Sequence, residues 1–400
     1  MKKLYTLIYI SLCIFTPAIS FAQFSFTNGN SSLEIGGYII GFYQFRQPIP
    51  PAGTNPDLHK STFEMDDARL NLKGTTHGMF KYELEINFVD VVALAIDGIK
   101  GIKSAPLTEA NIEYVNPIVN IKAGYFKVPF SPSSMMDKIP SPFLQRTLIA
   151  DGDYFARRDA GVLLIKDFWH QRINITAGVV SGMGEAILLG DGDANGWPEF
   201  VARFQLSNAY YRDEEIDYRN LPRPLFRVGV DARYNKKSQF YGDGPQTYNN
   251  DWMNVKMIDG VKVSYGADAA FMWHGFSAQF EMDQAYMRPE EFNYSTKAVN
   301  PLYTQLKAYN TSYFKNGGFL LQANYFNRKL WSVFSARYTE FNPSDLASNL
   351  QERTMTFAYN LVVPKTGLTI KLHYDYRLKQ PVTGIKWDND QFRGGFQYVF

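Results

Sequence analysis

The sequence predicts an all-β chain: a transmembrane antiparallel β-barrel of about sixteen strands, with long extracellular loops at one rim and short periplasmic turns at the other. Three observations carry this expectation. Apolar and polar residues alternate with period two in segment after segment, the connections alternate between long and short, and the final stretch, Asp390 to Phe400, is aromatic on one face and polar on the other. In that stretch Phe392, Phe396, Tyr398 and Phe400 share one side, while Gln391, Arg393, Gly395 and Gln397 share the other. The aromatic side suits lipid and the polar side a wet lumen.

Composition agrees. The 400 residues fit two domains or one large barrel, and aromatics at 16% nearly match charged residues at 20%, as lipid-facing girdles require. Beyond the N-terminus no apolar run reaches the ~18 residues that a spanning helix needs, so a helical membrane protein is excluded. At the N-terminus Lys2 and Lys3 precede a mostly apolar run from Leu4 to Ile19, and Ser20-Phe21-Ala22 supplies small residues at the −3 and −1 positions of a cleavage site. Residues 1–22 are therefore expected to be a cleaved signal peptide and residues 23–400 the barrel. Cys13, the one cysteine, leaves with the peptide, which rules out disulfides and thiolate sites. Removing Lys2 and Lys3 from 41 basic residues leaves 39, equal to the 39 acidic ones, and a neutral chain disfavours a nucleic-acid partner.

The alternating segments are 33–46, 63–74, 79–90, 108–115, 118–128, 159–167, 171–181, 198–208, 225–235, 260–272, 275–287, 318–327, 330–341, 351–362, 366–377 and 390–400. The clearest set Phe80, Tyr82, Leu84, Ile86 and Phe88 against Lys81, Glu83, Glu85 and Asn87, and Ile370, Leu372, Tyr374 and Tyr376 against Lys371, His373, Asp375 and Arg377. Odd connections are long, and most even ones are turns such as Thr75 to Gly78, Asn116-Pro117 and Arg328-Lys329, which puts both termini in the periplasm. The connection 209–224 breaks the rule, so it is either an elaborated turn or a missed pair of strands. A soluble sandwich would share the alternation, but not the loop asymmetry together with the signal peptide and aromatic C-terminus. A barrel of this size leaves an aqueous channel.

The connection 129–158, PFSPSSMMDKIPSPFLQRTLIADGDYFARR, is one of the two longest and carries four Pro. Long loops in compact designs are more often functional than not, and this one, folded inward, would narrow the lumen. Gly124 to Ser131 (GYFKVPFS), Gln145-Arg146, Phe63 to Gly74 (FEMDDARLNLKG), Ala177 to Gly182, Gly190 to Asp193 with Ala202 to Phe204, and the closing strand resemble the phosphate-selective porins O and P. The resemblance implies a sixteen-stranded homotrimeric barrel whose third long loop brings basic residues to a constriction that binds phosphate or polyphosphate. It implies Lys127, Ser131 and Arg146 at that constriction. Arg69 and Lys73 share the lumen face of the second segment. The family tends to have an arginine pair before its A-R-L, whereas this chain has Asp66-Asp67, and Asp67 would put a carboxylate into the anion path.

With apolar residues facing lipid, inward bases include Lys122, Arg172, Arg203, Arg227, Arg337, Lys371 and Arg393, and inward acids include Asp231, Asp268, Glu281 and Asp283. The expected anion pathway is Lys127, Ser131, Arg146, Arg69, Lys73, Lys122, Arg203 and Arg227, with Asp66 and Asp67 modifying selectivity. Rings of Arg or Lys lower the barrier for anions. Asp191 to Gly196 mimics the start of a calcium loop but has Ala202 where the bidentate acid belongs, and the five histidines are too scattered for a metal cluster. No serine nucleophile motif stands out. No catalytic, cofactor or metal site is expected. The function expected is an outer-membrane diffusion porin of a Gram-negative cell, passing small anions such as phosphate. The alternative is a non-conducting barrel that binds partners or surfaces through its loops.

Overall fold

The computed structural model describes residues 24–46, 60–90, 106–147, 149–150, 157–182, 184, 197–211, 214–238, 259–291, 314–342, 351–379 and 390–400. The expected signal peptide with its cleavage site, the stretch 190–196 and parts of most long loops lie outside the described residues.

Strands follow one another as β1 (Phe24–Asn28), β2 (Ser31–Arg46), β3 (Lys60–Thr76), β4 (Phe80–Asn87), β5 (Leu107–Tyr114), β6 (Asn120–Lys127), β7 (Arg158–Phe168), β8 (Ile173–Val180), β9 (Glu199–Ser207), β10 (Leu225–Ser238), β11 (Asp259–Trp273), β12 (Phe276–Glu291), β13 (Phe314–Asn327), β14 (Ser332–Asn342), β15 (Glu352–Val362), β16 (Leu368–Lys379) and β17 (Gln391–Val399). The sixteen alternating segments are β2 to β17, one for one. Each pairs antiparallel with the next, and β17 pairs with β2 to close a sixteen-stranded barrel. Closure removes every sheet edge, which is what a strand structure needs in hydrocarbon. The unforeseen element is β1, too short to alternate legibly. It pairs with the start of β2, Phe24 opposite Ile35, just where β17 has ended with Val399 opposite Tyr38.

Burial is inside out. On β10 Phe226, Val228, Val230 and Tyr234 are exposed while Arg227, Asp231, Arg233 and Asn235 are buried; on β16 Ile370, Leu372, Tyr374 and Tyr376 are exposed while Lys371, His373 and Asp375 are buried. Exposed Ile118, Trp169, Leu330 and Trp331 sit at the short-turn rim, in keeping with an interfacial belt. The C-terminus locks the closure: the Phe400 N–H donates to the Gly37 carbonyl at 3.0 Å and the Gly37 N–H to the Phe400 carbonyl at 2.9 Å. Only glycine fits at 37, because a Cβ there would lie 2.2 Å from the Arg69 carbonyl and 2.7 Å from the Phe400 ring.

Two irregularities shape the interior. Ile40 pairs with Asp67 but Gly41 with Met65, so Asp66 is the extra residue of a bulge in β3. Strict alternation would point Asp66 and Asp67 to opposite faces, and the bulge brings both inward. A second bulge, where Glu85 pairs with Glu109 and Ile86 with Leu107, buries Thr108 beside Glu109. The connection 209–224 holds no strand among its described residues; it is an elaborated turn that enters the barrel and buries Tyr211, Glu215, Ile216 and Asp217. Arg172, expected on an inner strand face, lies exposed in the β7–β8 turn.

Candidate functional site

The loop between β6 and β7 folds into the lumen. Its head is a one-turn helix, α1 (Pro132–Met135), which has no side-chain cap of its own. The wall supplies one: Glu281 of β12 accepts from the Ser133 N–H at 3.0 Å, the Ser133 hydroxyl at 2.9 Å and the Ser131 hydroxyl. An acid at a helix start is favourable because it meets unpaired N–H groups. At the other end Arg146 donates to the carbonyls of Ser133 and Met136, at 3.1 and 2.6 Å, and Arg157 to those of Ser134 and Met136, at 2.5 and 3.1 Å. Ser131 sits at φ 61°, a left-handed turn that this anchoring holds in place.

From there the loop crosses the lumen. Lys138 reaches Asp66 at 2.9 Å and Asp67 at 3.0 Å on β3. β12 and β3 lie on nearly opposite walls of a sixteen-strand ring, and five residues reach at most ~17 Å, so the chain runs through the interior rather than along one side. It then hugs β14 to β17. Gln397 donates to the Ile139 carbonyl at 3.2 Å, Lys371 to Ser141 at 2.7 Å, Asn360 to Pro142 at 2.9 Å and Arg337 to Gln145 at 3.1 Å. Leu144 packs on Tyr38, Ile40 and Phe42, an apolar inner face of β2. The Leu144 N–H donates to Nδ1 of His373 at 3.1 Å, and Nε2 of the same ring bonds Asp375 at 2.9 Å. The imidazole is therefore neutral with its proton on Nε2.

Charges divide into two regions. On the β3–β7 side Arg69 bonds Asp67 and Glu85, both at 2.8 Å, Lys138 bonds Asp66 and Asp67, Lys127 bonds Asp137 at 2.6 Å, and Arg158 bonds Glu109 at 3.4 Å; Arg157 completes the group at 3.8 Å from Asp137. Five cations there face five carboxylates, so the network is neutral. Burial would raise the Asp137 carboxyl, but Lys127 and Arg157 outweigh it and hold it well below the usual carboxylate range. On the β14–β16 side Arg337 and Lys371 donate to loop carbonyls; Arg146, on the loop between the two regions, donates to those of α1, and no ion pair joins any of the three to a carboxylate among the described residues. Two acids, Glu215 and Asp137, line one cavity with Arg146, Arg337, Lys138 and Phe143, and Asp137 is the carboxylate that acts most on Arg146. Burial lowers the Arg146 guanidinium, whose Nε and Nη2 meet no protein acceptor.

The sequence-derived candidates are thus spread over different roles. Ser131 anchors α1, Arg146 caps it and borders the cavity, and Lys127, at the end of β6, turns inward to Asp137. Arg69, Asp66 and Asp67 belong to the neutral network. Lys73 pairs with Glu83 at 2.7 Å, Lys122 lies over the Phe126 ring at 5.8 Å, and Arg203 bridges Asp231 and Asp268 at 2.6 and 2.7 Å. Arg227 approaches Asp268 at 3.3 Å and the Tyr211 ring at 4.7 Å. Sequence reasoning did not single out Lys138, Glu215, Arg337 or Lys371 as constriction residues. Parity placed the last two inward; nothing in the sequence showed that the loop would reach them. Among the described residues no group of three or more His, Cys, Asp or Glu is arranged to hold a metal.

Residues 43–184 match the family model for phosphate-selective porin O and P. No curated protein matches. Solved structures that are similar include OmpT of Vibrio cholerae (8% identity, TM-score 0.56, 94% of this chain and 100% of that one), the outer membrane channel DcaP of Acinetobacter baumannii (12%, 0.54, 94% and 99%) and Salmonella typhi OmpF in complex with daunomycin (11%, 0.54, 94% and 100%). At these identities the likeness establishes the fold. Another OmpT structure from Vibrio cholerae is described as a trimer form.

Proposed function

We propose, from a family match over 43–184 and a barrel shared with outer-membrane channels, that this chain is an outer-membrane diffusion porin that prefers small anions. The apolar outer belt supports residence in outer-membrane lipid, and the trimer form of one structural neighbour supports assembly as a homotrimer. One observation carries the anion preference. Arg337 and Lys371 reach the inward loop and Arg146 lies on it, each with carbonyls as hydrogen-bond partners, whereas the network on the β3–β7 side balances its own charge. Uncompensated cations in a low-dielectric wall raise the local concentration of anions and oppose cations. Guanidinium groups suit oxyanions through paired donors, which makes phosphate the natural first solute to test. The pathway is then a property of wall and loop together, and no chemistry is assigned to it.

A second reading has its own support. The loop spans from Glu281 to Asp66 and meets the inward turn at Ser141 and Glu215, as a plug would, which favours a non-conducting barrel acting through its outer loops. Single-channel current in a planar bilayer across a KCl gradient, repeated with added phosphate, separates the two. Anion-selective current that phosphate partly blocks is the expected result. Folded barrels without current would leave the second reading.

A further inference from the structure

Glu215 is left over by the channel reading. It belongs to 209–224, the elaborated turn that enters the lumen from the short-turn rim. That turn is firmly held. The Glu215 carbonyl accepts from Ser277 Oγ at 2.6 Å and Asn324 Nδ2 at 2.9 Å, Asp217 accepts from the N–H groups of Leu221 and Gly275 at 2.9 Å each, and Ile216 packs with Phe326 and Val333. The Glu215 side chain, 7% exposed, is therefore aimed rather than loose. Its Oε2 accepts from Gln322 at 2.8 Å and from Ser141 of the loop at 3.1 Å, so the insertions from the two rims meet at this carboxylate. Glu215 shares its cavity with Arg146, Arg337 and Asp137, the last already paired with Lys127, and Nε and Nη2 of Arg146 and Nε of Arg337 are buried without protein acceptors.

We propose that Glu215 makes this cavity select oxyanions that carry a proton over oxyanions of similar shape that carry none. The inference rests on the anion-channel reading and assigns the residue that sets its specificity. A guanidinium only donates and an ionised carboxylate only accepts. Hydrogen phosphate satisfies both: its bare oxygens accept from Arg146 and Arg337, and its O–H donates to Glu215. Sulfate, fully deprotonated at neutral pH, can satisfy the arginines, but it meets Glu215 as charge against charge with no proton between them. A site built to bond a hydroxyl rejects the analogue that lacks it, because the site's own acceptor is then left unmet. Without Glu215 the two anions would differ little, since the donors read only their shared tetrahedral oxygens.

The test uses the folded full-length protein in planar bilayers and reads block of the KCl current by phosphate, arsenate and sulfate at pH 7. Three proteins are compared: the native chain, Glu215→Gln, and Ser141→Ala, which cuts the tie between turn and loop but keeps the carboxylate. The expected result is block by phosphate and arsenate at concentrations about tenfold below sulfate, an order chosen well under the limits of enclosed sites because the lumen is wet. Glu215→Gln should lose that preference by strengthening sulfate block, and Ser141→Ala should keep it. Equal block in the native channel, an unchanged preference in Glu215→Gln, or the same loss in Ser141→Ala overturns the assignment while leaving an anion channel intact. Absence of anion current in the native protein sinks the channel reading itself, and the role of Glu215 with it.

Discussion

Lys371 offers the sharpest test of where selectivity resides. The residue is 2% exposed, and its ammonium donates to the Ser141 carbonyl at 2.7 Å with no carboxylate in ion-pair range among the described residues. Lys371→Gln removes one positive charge and keeps a donor for that carbonyl. For a solute passing about 8 Å away, one unit charge is worth ~0.5 kcal/mol at the dielectric constant of water and ~2 kcal/mol at an effective value near 20. That range corresponds to a roughly 2- to 30-fold fall in anion permeability with a similar rise in cation permeability, the lower end applying as salt screens the lumen over ~10 Å at 0.1 M. The assay is the reversal potential across a KCl gradient, native against variant, at low and high ionic strength. The shift should be toward cations and should shrink in salt. As a control, Arg203→Gln with Asp231→Asn removes a 2.6 Å ion pair together and should leave the reversal potential nearly unchanged. If Lys371→Gln leaves the potential where it was, or the paired control moves it equally, unpaired cations do not set selectivity here.

Three other outcomes follow from the same geometry. Lys138→Met uncovers Asp66 and Asp67 and should move selectivity toward cations; breaking a largely buried pair costs about 3–5 kcal/mol, so protease sensitivity of the 129–158 loop should rise with it. Glu281→Ala removes the acceptor for both Ser131 and Ser133, a loss of about 1.5–3 kcal/mol for a bond to a charged group, and should make the open-channel current noisier while the barrel stays folded. Gly37→Ala places a methyl within 2.7 Å of the Phe400 ring, so less of the chain should retain the compact, heat-modifiable mobility of a closed barrel on a denaturing gel.

The barrel was legible because lipid and water impose one rule on every strand. Period-two alternation gave all sixteen closing strands, since a strand that violated it would bury charge in hydrocarbon. The exceptions are places where the rule is suspended. β2 is apolar on both faces, Tyr38, Ile40 and Phe42 inside and Tyr43 and Phe45 outside, because Leu144 and Ile139 of the loop cover its inner side. A strand apolar on both faces inside a water-filled barrel is itself a signal that something packs there. Asp66 was harder, since its direction depends on one extra residue in β3, whose mark in the sequence is a change of parity, with odd positions outward at Phe63 and Met65 and inward at Asp67 and Arg69.

The site was less legible than the fold for a related reason. Whether an inward arginine serves the solute or the wall depends on its partner, and partners come from strands and loops far apart in sequence. Arg69 and Arg337 are both inward by parity. The first meets Asp67 two residues away and Glu85 on the neighbouring strand, while the second meets the Gln145 carbonyl from a loop 192 residues earlier. A buried cation facing only carbonyls keeps most of its field, and one facing a carboxylate spends it locally. In the proposed channel selectivity would therefore belong to the residues that the loop reaches without neutralising, and loop trajectory is what period-two alternation leaves unspecified. The turn at 209–224 makes the same point from the other rim: its length betrayed it as an exception, but only its entry into the barrel brings Glu215 to face Arg146 and Arg337.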